Sequence, residues 1–587
     1  MDYWIDIFNV VLIFSIFTIS LNLLIGYAGQ VSVAHAAFGA IGGYAAAYLQ
    51  ANAGFSFWPG LAAGTFGAGL IGLLMSLPAL RLRPEYLVLL TIAVSAIVLA
   101  IVGAVAELGG AYGITASRPA DLWPIPGGPL LFPTQWTLPL IGFAAPTFFV
   151  CWRMGQSAWG RVLRGIRDDE VATRALGHNV YIFKVIVFSV TSAFAGLAGV
   201  LLFFYNQIVS PSVYGLDVSL KIFAMTIFGG LGNFVGSILG TAVVQLLQPI
   251  LENVVKLEPG NAFLIQLVIY GIGLAILVRV RPQGLLPEGV SLLPARAAER
   301  VAPPSVRSSA ATKAVDIGSS RPSQLQPPAG AGPILEVRGL SKQFGGIVAC
   351  RDLSLDLETG KIAALVGPNG AGKTTVFNLL TGAFAADSGS IKLNGQELCG
   401  LGPDAVARKG MARTFQDVRL FARMSALENV MLAMRRIEGG SGAEKFSDLF
   451  LHPRRAARAE RSERDGAMEH LRLVGLADVA GTAAGALSYG QQKLVSFARL
   501  MATDADVLLL DEPASGIDAR WVDKLLELVV YARDRGKTIC IVEHSLHVVE
   551  RLADTVFFME LGHITAKGTI RELTSDPRLA EVYFGTV

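Results

Sequence analysis

Residues 367–374 read Gly-Pro-Asn-Gly-Ala-Gly-Lys-Thr, and this octet matches the phosphate-binding pattern G-x-x-x-x-G-K-[ST] at every fixed position. Gly367, Gly370 and Gly372 let the backbone curl so that successive N–H groups, with those of Asn369 and Ala371, face phosphate oxygens. Pro368 lies within the same turn. A helix starting at the end of the octet adds the positive end of its dipole. Lys373 has the reach and charge for β- and γ-phosphates, the Thr374 hydroxyl suits Mg²⁺, and Thr375 comes next. A second chemical pair stands at Val507-Leu508-Leu509-Leu510-Asp511-Glu512. This apolar run reads as a buried strand ending in two carboxylates. Asp511 is placed to hold Mg²⁺ through water, and Glu512 to orient and polarise an attacking water. The competing reading, one of the two acids capping a helix that opens at Pro513, does not suit a domain that also carries a phosphate loop.

Elements must position these groups. Ile362–Val366 reads as a strand leading into the octet, and Thr375–Leu380 as the helix leaving it. Thr538–Val542 reads as another strand, ending just before Glu543 and His544, where sheet enzymes bind ligands. From Ile334 onward, strands rich in Val, Ile and Leu alternate with helical patterns, which implies an α/β domain over 334–587.

The first half is different in kind. The chain has 587 residues, 49 Lys and Arg, and 46 Asp and Glu, but only 23 of those charges fall within the first 280 residues. No charge occurs between Asp6 and Arg81, Glu85 and Glu107, Lys184 and Asp217, Lys221 and Glu252, or Glu258 and Arg279. A helix crossing a bilayer needs about 20 such residues. Spans are expected near 7–27, 31–50, 58–78, 86–106, 136–152, 183–205, 221–252 and 263–280, with Gly-rich breaks in the first and seventh. The fold expected is therefore a polytopic α-helical membrane domain, 1–286, followed by an α/β P-loop ATPase, with membrane lipid around the first part. Residues 287–333, rich in Pro, Ala, Ser and Arg, read as a flexible linker of roughly 35–40 Å r.m.s. span.

Basic loops at Arg81 and Arg83, at Arg153 to Arg174, and at Arg279 and Arg281 are expected on the cytoplasmic side with the ATPase. The stretch 107–135 is expected outside. A net charge of +3 is too small to suggest nucleic acid as a partner. Cys151, Cys350, Cys399 and Cys540 have neither metal-ligand spacing nor a disulfide framework. The N-terminus lacks the pattern of a cleaved secretory signal, so its first apolar run reads as a retained membrane helix.

Leu487-Ser488-Tyr489-Gly490-Gln491 opens a helix-like run, Gln492–Met501. The order phosphate loop, Gln416, this pentapeptide, Asp511-Glu512 and His544 resembles the nucleotide-binding domain of ABC transporters, over nearly all of 334–587. That resemblance implies ATP and Mg²⁺ as the bound species, and ATP hydrolysis coupled to transport. It implies that Phe344 stacks on adenine, that Gln416 touches Mg²⁺ and senses the membrane partner, and that His544 bonds the γ-phosphate as the switch histidine. Ser488, Tyr489, Gly490 and Gln491 would face the ATP of an opposing ATPase, and Ser515–Asp518 would form the D-loop. Tyr489 stands where the family usually has Gly, while Ser488 and Gly490 are kept.

The first half is similar to permease subunits of the branched-chain amino acid importers. The likeness rests on Leu21–Ser32, Arg81-Leu82-Arg83, Ser157–Arg161, Arg167–Glu170, Ala175-Leu176-Gly177, Gly229–Gly232 and Arg281–Leu285. Lys342–Gly346, the Leu-Ser-Tyr-Gly-Gln-Gln signature and Val582–Gly585 are similar to the ATPase of the same system. The resemblance implies a permease fused to an ATPase in the inner membrane of a bacterium, importing branched-chain amino acids. Its partners would be a second permease, a second ATPase and an extracytoplasmic substrate-binding protein. Urea, amides or aromatic acids are alternative solutes within the family. An exporter half-transporter is the remaining alternative, and its long charged cytoplasmic helix extensions are not seen in the sequence.

Within the permease half, Arg167, Asp168, Asp169, Glu170, Ala175 and Gly177 mark a short helix as first candidate for the contact with an ATPase groove, against a solvated loop that serves only topology. Gly229–Gly232 is the second candidate. Gly26–Ser32 reads equally as a substrate-lining break or as close helix packing. His35 reads as a path residue or as a histidine hydrogen-bonded inside the bundle, with the second preferred.

Overall fold

The computed structural model describes residues 2–80, 84–121, 129–281, 283–289, 332–434 and 446–575. The Arg81–Arg83 loop, the core of the proposed linker and Val582–Gly585 lie outside the described residues. The chain divides into two compact units: Met1–Arg167 with Val180–Arg300, and Asp168–Asn179 with Val301–Val587.

The first unit is helical. Its helices are α1 (Asp2–Asn22), α2 (His35–Ala53), α3 (Phe57–Ala79), α4 (Pro84–Ala104), α5 (Pro133–Gly155), α6 (Ala158–Asp168), α8 (Val180–Asn206), α9 (Leu216–Gly229), α10 (Phe234–Asn253) and α11 (Pro259–Val280), while α7 (Glu170–Ala175) belongs to the second unit. Two short strands, β1 (Ile114–Thr115) and β2 (Ile208–Val209), pair antiparallel. Eight of the described helical segments are long and apolar enough to cross a membrane by length and composition. They correspond to the expected apolar runs with two differences.

The run 221–252 is two helices. Gly230, at φ +116°, turns the chain between α9 and α10, a backbone conformation that side-chain-bearing residues rarely adopt. Asn233 then caps α10 by accepting the Gly236 N–H at 3.0 Å. The run 31–50 starts late, at His35, and α2 is not among the eight. Its Gly and Ala residues make it less apolar than its neighbours, and it is buried along most of its length.

Asn22, at the end of α1, grips the turn between α9 and α10. Its Nδ2 donates to the carbonyls of Gly230 and Asn233, each at 3.0 Å, and its Oδ1 accepts from Gly232 N at 2.8 Å. Beyond it the chain makes a π-helical turn, Leu23–Tyr27. Arg167 donates to the Gly26 carbonyl and pairs with Glu288 at 3.0 Å. The Gly26 carbonyl is thus joined to the protein itself, whereas Gln30, buried within the same break, has no hydrogen-bond partner for its side-chain amide among the described residues, so the substrate-lining and packing readings of Gly26–Ser32 both stand. The expectation for His35 fails. It is buried, and neither ring nitrogen has a hydrogen-bond partner among the described residues. Near the start of α2 in sequence, Val33 N donates to Thr91 Oγ1 at 3.2 Å, and Ser95 Oγ donates to Thr91 O at 2.9 Å.

The second unit is α/β. Its strands are β3 (Pro333–Phe344), β4 (Ile347–Glu358), β5 (Ile362–Val366), β6 (Ser388–Leu393), β7 (Gln396–Glu397), β8 (Met411–Arg413), β9 (Val507–Asp511), β10 (Thr538–Val542), β11 (Thr555–Glu560) and β12 (His563–Gly568). Its helices after α7 are α12 (Lys373–Leu380), α13 (Pro403–Arg408), α14 (Ala426–Met431), α15 (Phe446–Leu451), α16 (Pro453–Leu473), α17 (Tyr489–Ala502), α18 (Ala519–Asp534), α19 (Leu546–Leu552) and α20 (Ile570–Thr574). One sheet runs β12-β11-β5-β10-β9-β8, parallel except for β12, and a second runs β4-β3-β6-β7 with antiparallel pairings. Strands β5, β9 and β10 are buried at every residue. That is why they read as continuous apolar runs rather than alternating ones. The register sets Val542 beside Asp511, so Glu512 and Glu543, the next residue of each strand, emerge at one edge of the sheet.

Candidate functional site

The site forms where β5, β8, β9 and β10 end together. After β5 the chain curls through the octet and enters α12 at Lys373, two residues before the helix start expected from sequence. Gly372 takes φ +103°, and a Cβ there would stand 2.3 Å from the Ala349 carbonyl oxygen. Only glycine fits that turn. Lys373 is buried, and its Nζ donates to the carbonyls of Gly367 at 2.7 Å and Pro368 at 2.9 Å. Burial pushes its pKa down, and the Glu512 and Asp511 carboxylates pull it back up. Thr374 is exposed at the mouth of the loop.

Asp511 and Glu512 have distinct surroundings. Asp511 is 1% exposed, and its Oδ2 lies 3.5 Å from an Arg413 guanidinium nitrogen. Its backbone N–H donates to Thr414 Oγ1 at 3.1 Å. Burial raises its pKa, and the Arg413 guanidinium opposes that rise. Its Oδ1 is buried with no hydrogen-bond partner among the described residues. A buried oxygen with unused lone pairs is costly by itself and suits a cation or its water shell, so this donor set fits Mg²⁺.

Glu512 sits at φ +45°, left-handed backbone for a non-glycine residue, a strain of about 1–3 kcal/mol that tends to mark functional sites. Its N–H is anchored on Val542 O at 2.9 Å. His544 Nε2 lies 2.6 Å from Glu512 Oε1, and Gln416 Nε2 donates to Oε2 at 3.1 Å. Both carboxylate oxygens are therefore held by residues singled out in the sequence. Glu543 Oε1 accepts from Ala514 N at 3.0 Å, fixing the turn after Glu512. No helix opens at Pro513. The next one, α18, starts after Asp518, so neither acid serves as its cap.

Other expected groups lie on separate features. Phe344 is 41% exposed and meets Phe384 edge-on at 5.2 Å. Ser488 caps α17: its Oγ accepts from Gln491 N at 3.4 Å, and Gln491 Oε1 accepts from Ser488 N at 3.0 Å. This reciprocal box fixes the helix start. Tyr489 is half-exposed beside Gly516, where a Cβ would lie 3.2 Å from its ring.

The segment Asp168–Asn179 is tied to the ATPase unit. Asp169 caps α7 by accepting from Ala172 N at 2.9 Å, and it pairs with Arg419 at 3.0 Å. Arg408 donates to the Gly177 carbonyl at 2.7 Å, and His178 Nε2 lies 2.8 Å from Leu432 O. Val171, Arg174 and Ala175 line a cavity with Thr381, Arg413 and Phe415. Sequence reading passed over Arg413, Arg419 and Lys493, whose Nζ reaches the carbonyls of Gln416 at 3.4 Å and Glu512 at 3.3 Å. The available signal was position alone, since Arg413 directly precedes Thr414-Phe415-Gln416.

Comparison with known proteins agrees with this geometry. Residues 3–277 match a family model described as the permease component of the branched-chain amino acid transport system, and residues 350–515 match the ABC transporter model. The chain is 39% identical over 254 residues to the high-affinity branched-chain amino acid transport ATP-binding protein BraF of Pseudomonas aeruginosa, covering 43% of this chain and 98% of that protein. It is 38% identical over 255 residues to LivG of Escherichia coli, covering 43% and 98%. The chain belongs to the ATP-binding cassette transporters, with a permease component of the branched-chain amino acid transport system family and an ATPase joined in one multi-pass membrane protein.

Proposed function

We propose that the chain imports branched-chain amino acids, with ATP hydrolysis at the Glu512 centre driving the permease half. The observation that carries the solute class is the match of residues 3–277 to that permease family in the same polypeptide as a BraF-like ATPase. Gly367–Thr375 cradles the phosphates, and Phe344 stacks on adenine. Glu512 orients and polarises the attacking water, with Gln416 and His544 fixing its two oxygens. Thr374, Gln416 and Asp511 would hold Mg²⁺, which when bound neutralises phosphate charge. Ser488, Tyr489, Gly490, Gln491 and Asp518 serve the ATP of an opposing ATPase, so two ATPases close head to tail. Arg167, Asp168, Asp169, Glu170, Ala175 and Gly177 carry the coupling between the halves.

The assembly implied is this fusion with a second permease, a second ATPase and an extracytoplasmic binding protein, seated in a bacterial inner membrane. Uptake of radiolabelled leucine by cells with and without the chain tests the solute class. Uptake should depend on the chain and be competed by isoleucine and valine, not by urea or benzoate. Competition by urea or benzoate alone would overturn the amino acid reading.

A further inference from the structure

Asp511 is held by a residue that also touches the helix leaving the phosphate loop. The planar Arg413 guanidinium faces Asp511 Oδ2 at 3.5 Å, while its other terminal nitrogen donates to Asn378 Oδ1 at 2.6 Å and Thr381 Oγ1 at 3.3 Å. Asn378 lies on α12 and Thr381 ends it. One buried fork thus joins α12 to β9. The Phe415 ring lies 4.6 Å from the Arg413 guanidinium and 5.1 Å from that of Arg419, both within cation–π range. Arg419 pairs with Asp169, and Val171 and Ala175 line one cavity with Arg413 and Phe415. An unbroken line of contacts therefore runs from the Asp168–Asn179 segment to Asp511. It ends on Asp511, whereas the side chain of Gln416, the residue after Phe415, reaches Glu512.

We propose that Arg413 is a positioning residue through which docking of the Asp168–Asn179 segment, via Asp169, Arg419 and Phe415, sets the place of the Asp511 carboxylate. The segment then acts on the cation-holding group. Lysine cannot substitute. It keeps the charge but not the flat fork that spans Asn378 and Asp511 while stacking on Phe415. The proposal rests on the reading of Asp511 as the cation-holding group.

The test uses the full chain carrying Glu512→Gln, loaded with ATP, and Mn²⁺ as a spin probe read by electron paramagnetic resonance. Partners that orient metal ligands affect metal affinity by about 10–100-fold. Arg413→Lys should weaken Mn²⁺ binding about tenfold. Phe415→Leu and Asp169→Asn, at positions neither hydrogen-bonded to nor ion-paired with Asp511, should weaken it in the same direction by about threefold or more. ATP binding without metal should be unchanged in all three. Should Arg413→Lys fail to fold, the other two variants decide alone. Wild-type Mn²⁺ affinity in both Phe415→Leu and Asp169→Asn would overturn the relay. Asp511→Asn is the control: if it leaves Mn²⁺ binding unchanged, the assignment of Asp511 has failed, and the relay to it falls with that assignment.

Discussion

Glu512→Gln is expected to bind ATP about as well as the wild-type chain and to lose hydrolysis by about 10²–10⁴-fold. The amide keeps the side chain's size, and the backbone anchor on Val542 O is untouched. What changes is the ability to polarise water. The His544 contact at 2.6 Å and the Gln416 contact at 3.1 Å hold a carboxylate in one orientation, and an amide offers only one oxygen to that pair. A closed, ATP-loaded state should accumulate. Phosphate release against binding of a fluorescent ATP analogue separates the two effects. Near-normal turnover would show that another group orients the water.

Lys373→Ala is expected to fail one step earlier, at nucleotide binding. The ammonium of Lys373 is the charged group aimed into the curl of the loop, held on the Gly367 and Pro368 carbonyls. A hydrogen bond to a charged group contributes about 1.5–3 kcal/mol, so ATP affinity should fall about 10–150-fold. The loop should keep its shape, because Gly372 and the buried strand β5 set the turn independently of the side chain. Equilibrium titration checks this. Unaltered affinity together with lost turnover would reassign Lys373 from binding to catalysis.

The sequence disclosed those parts of the site that are contiguous. The octet, the strand ending at Asp511-Glu512 and the Ser488–Gln491 helix start are local patterns whose residue types are dictated by backbone geometry or by burial on both sheet faces. His544 was legible because it comes after an apolar run that had to be a central strand. Arg413 and Arg419 were not legible as site residues. Their partners Asp511 and Asp169 lie 98 and 250 positions away, and nothing local separates them from other arginines. The α9–α10 break was visible as glycines, but the Asn22 side chain that grips it comes from more than 200 residues earlier. His35 shows the opposite failure. A rule about buried histidines predicted a partner, and neither ring nitrogen has one among the described residues. The helix α7 is legible in outline because Asp169 caps it and Glu170 stands in its first turn, as helix starts favour.

Accumulation of labelled leucine in proteoliposomes is the decisive test of ATP-driven import by this chain. The vesicles would hold the purified assembly with ATP and Mg²⁺ on the ATPase side and the solute-loaded binding protein on the other. Leucine should accumulate against a gradient, only with ATP present, and Glu512→Gln should abolish that accumulation. Leucine accumulation that persists without ATP, or at the wild-type rate in Glu512→Gln, would contradict import driven from the Glu512 centre.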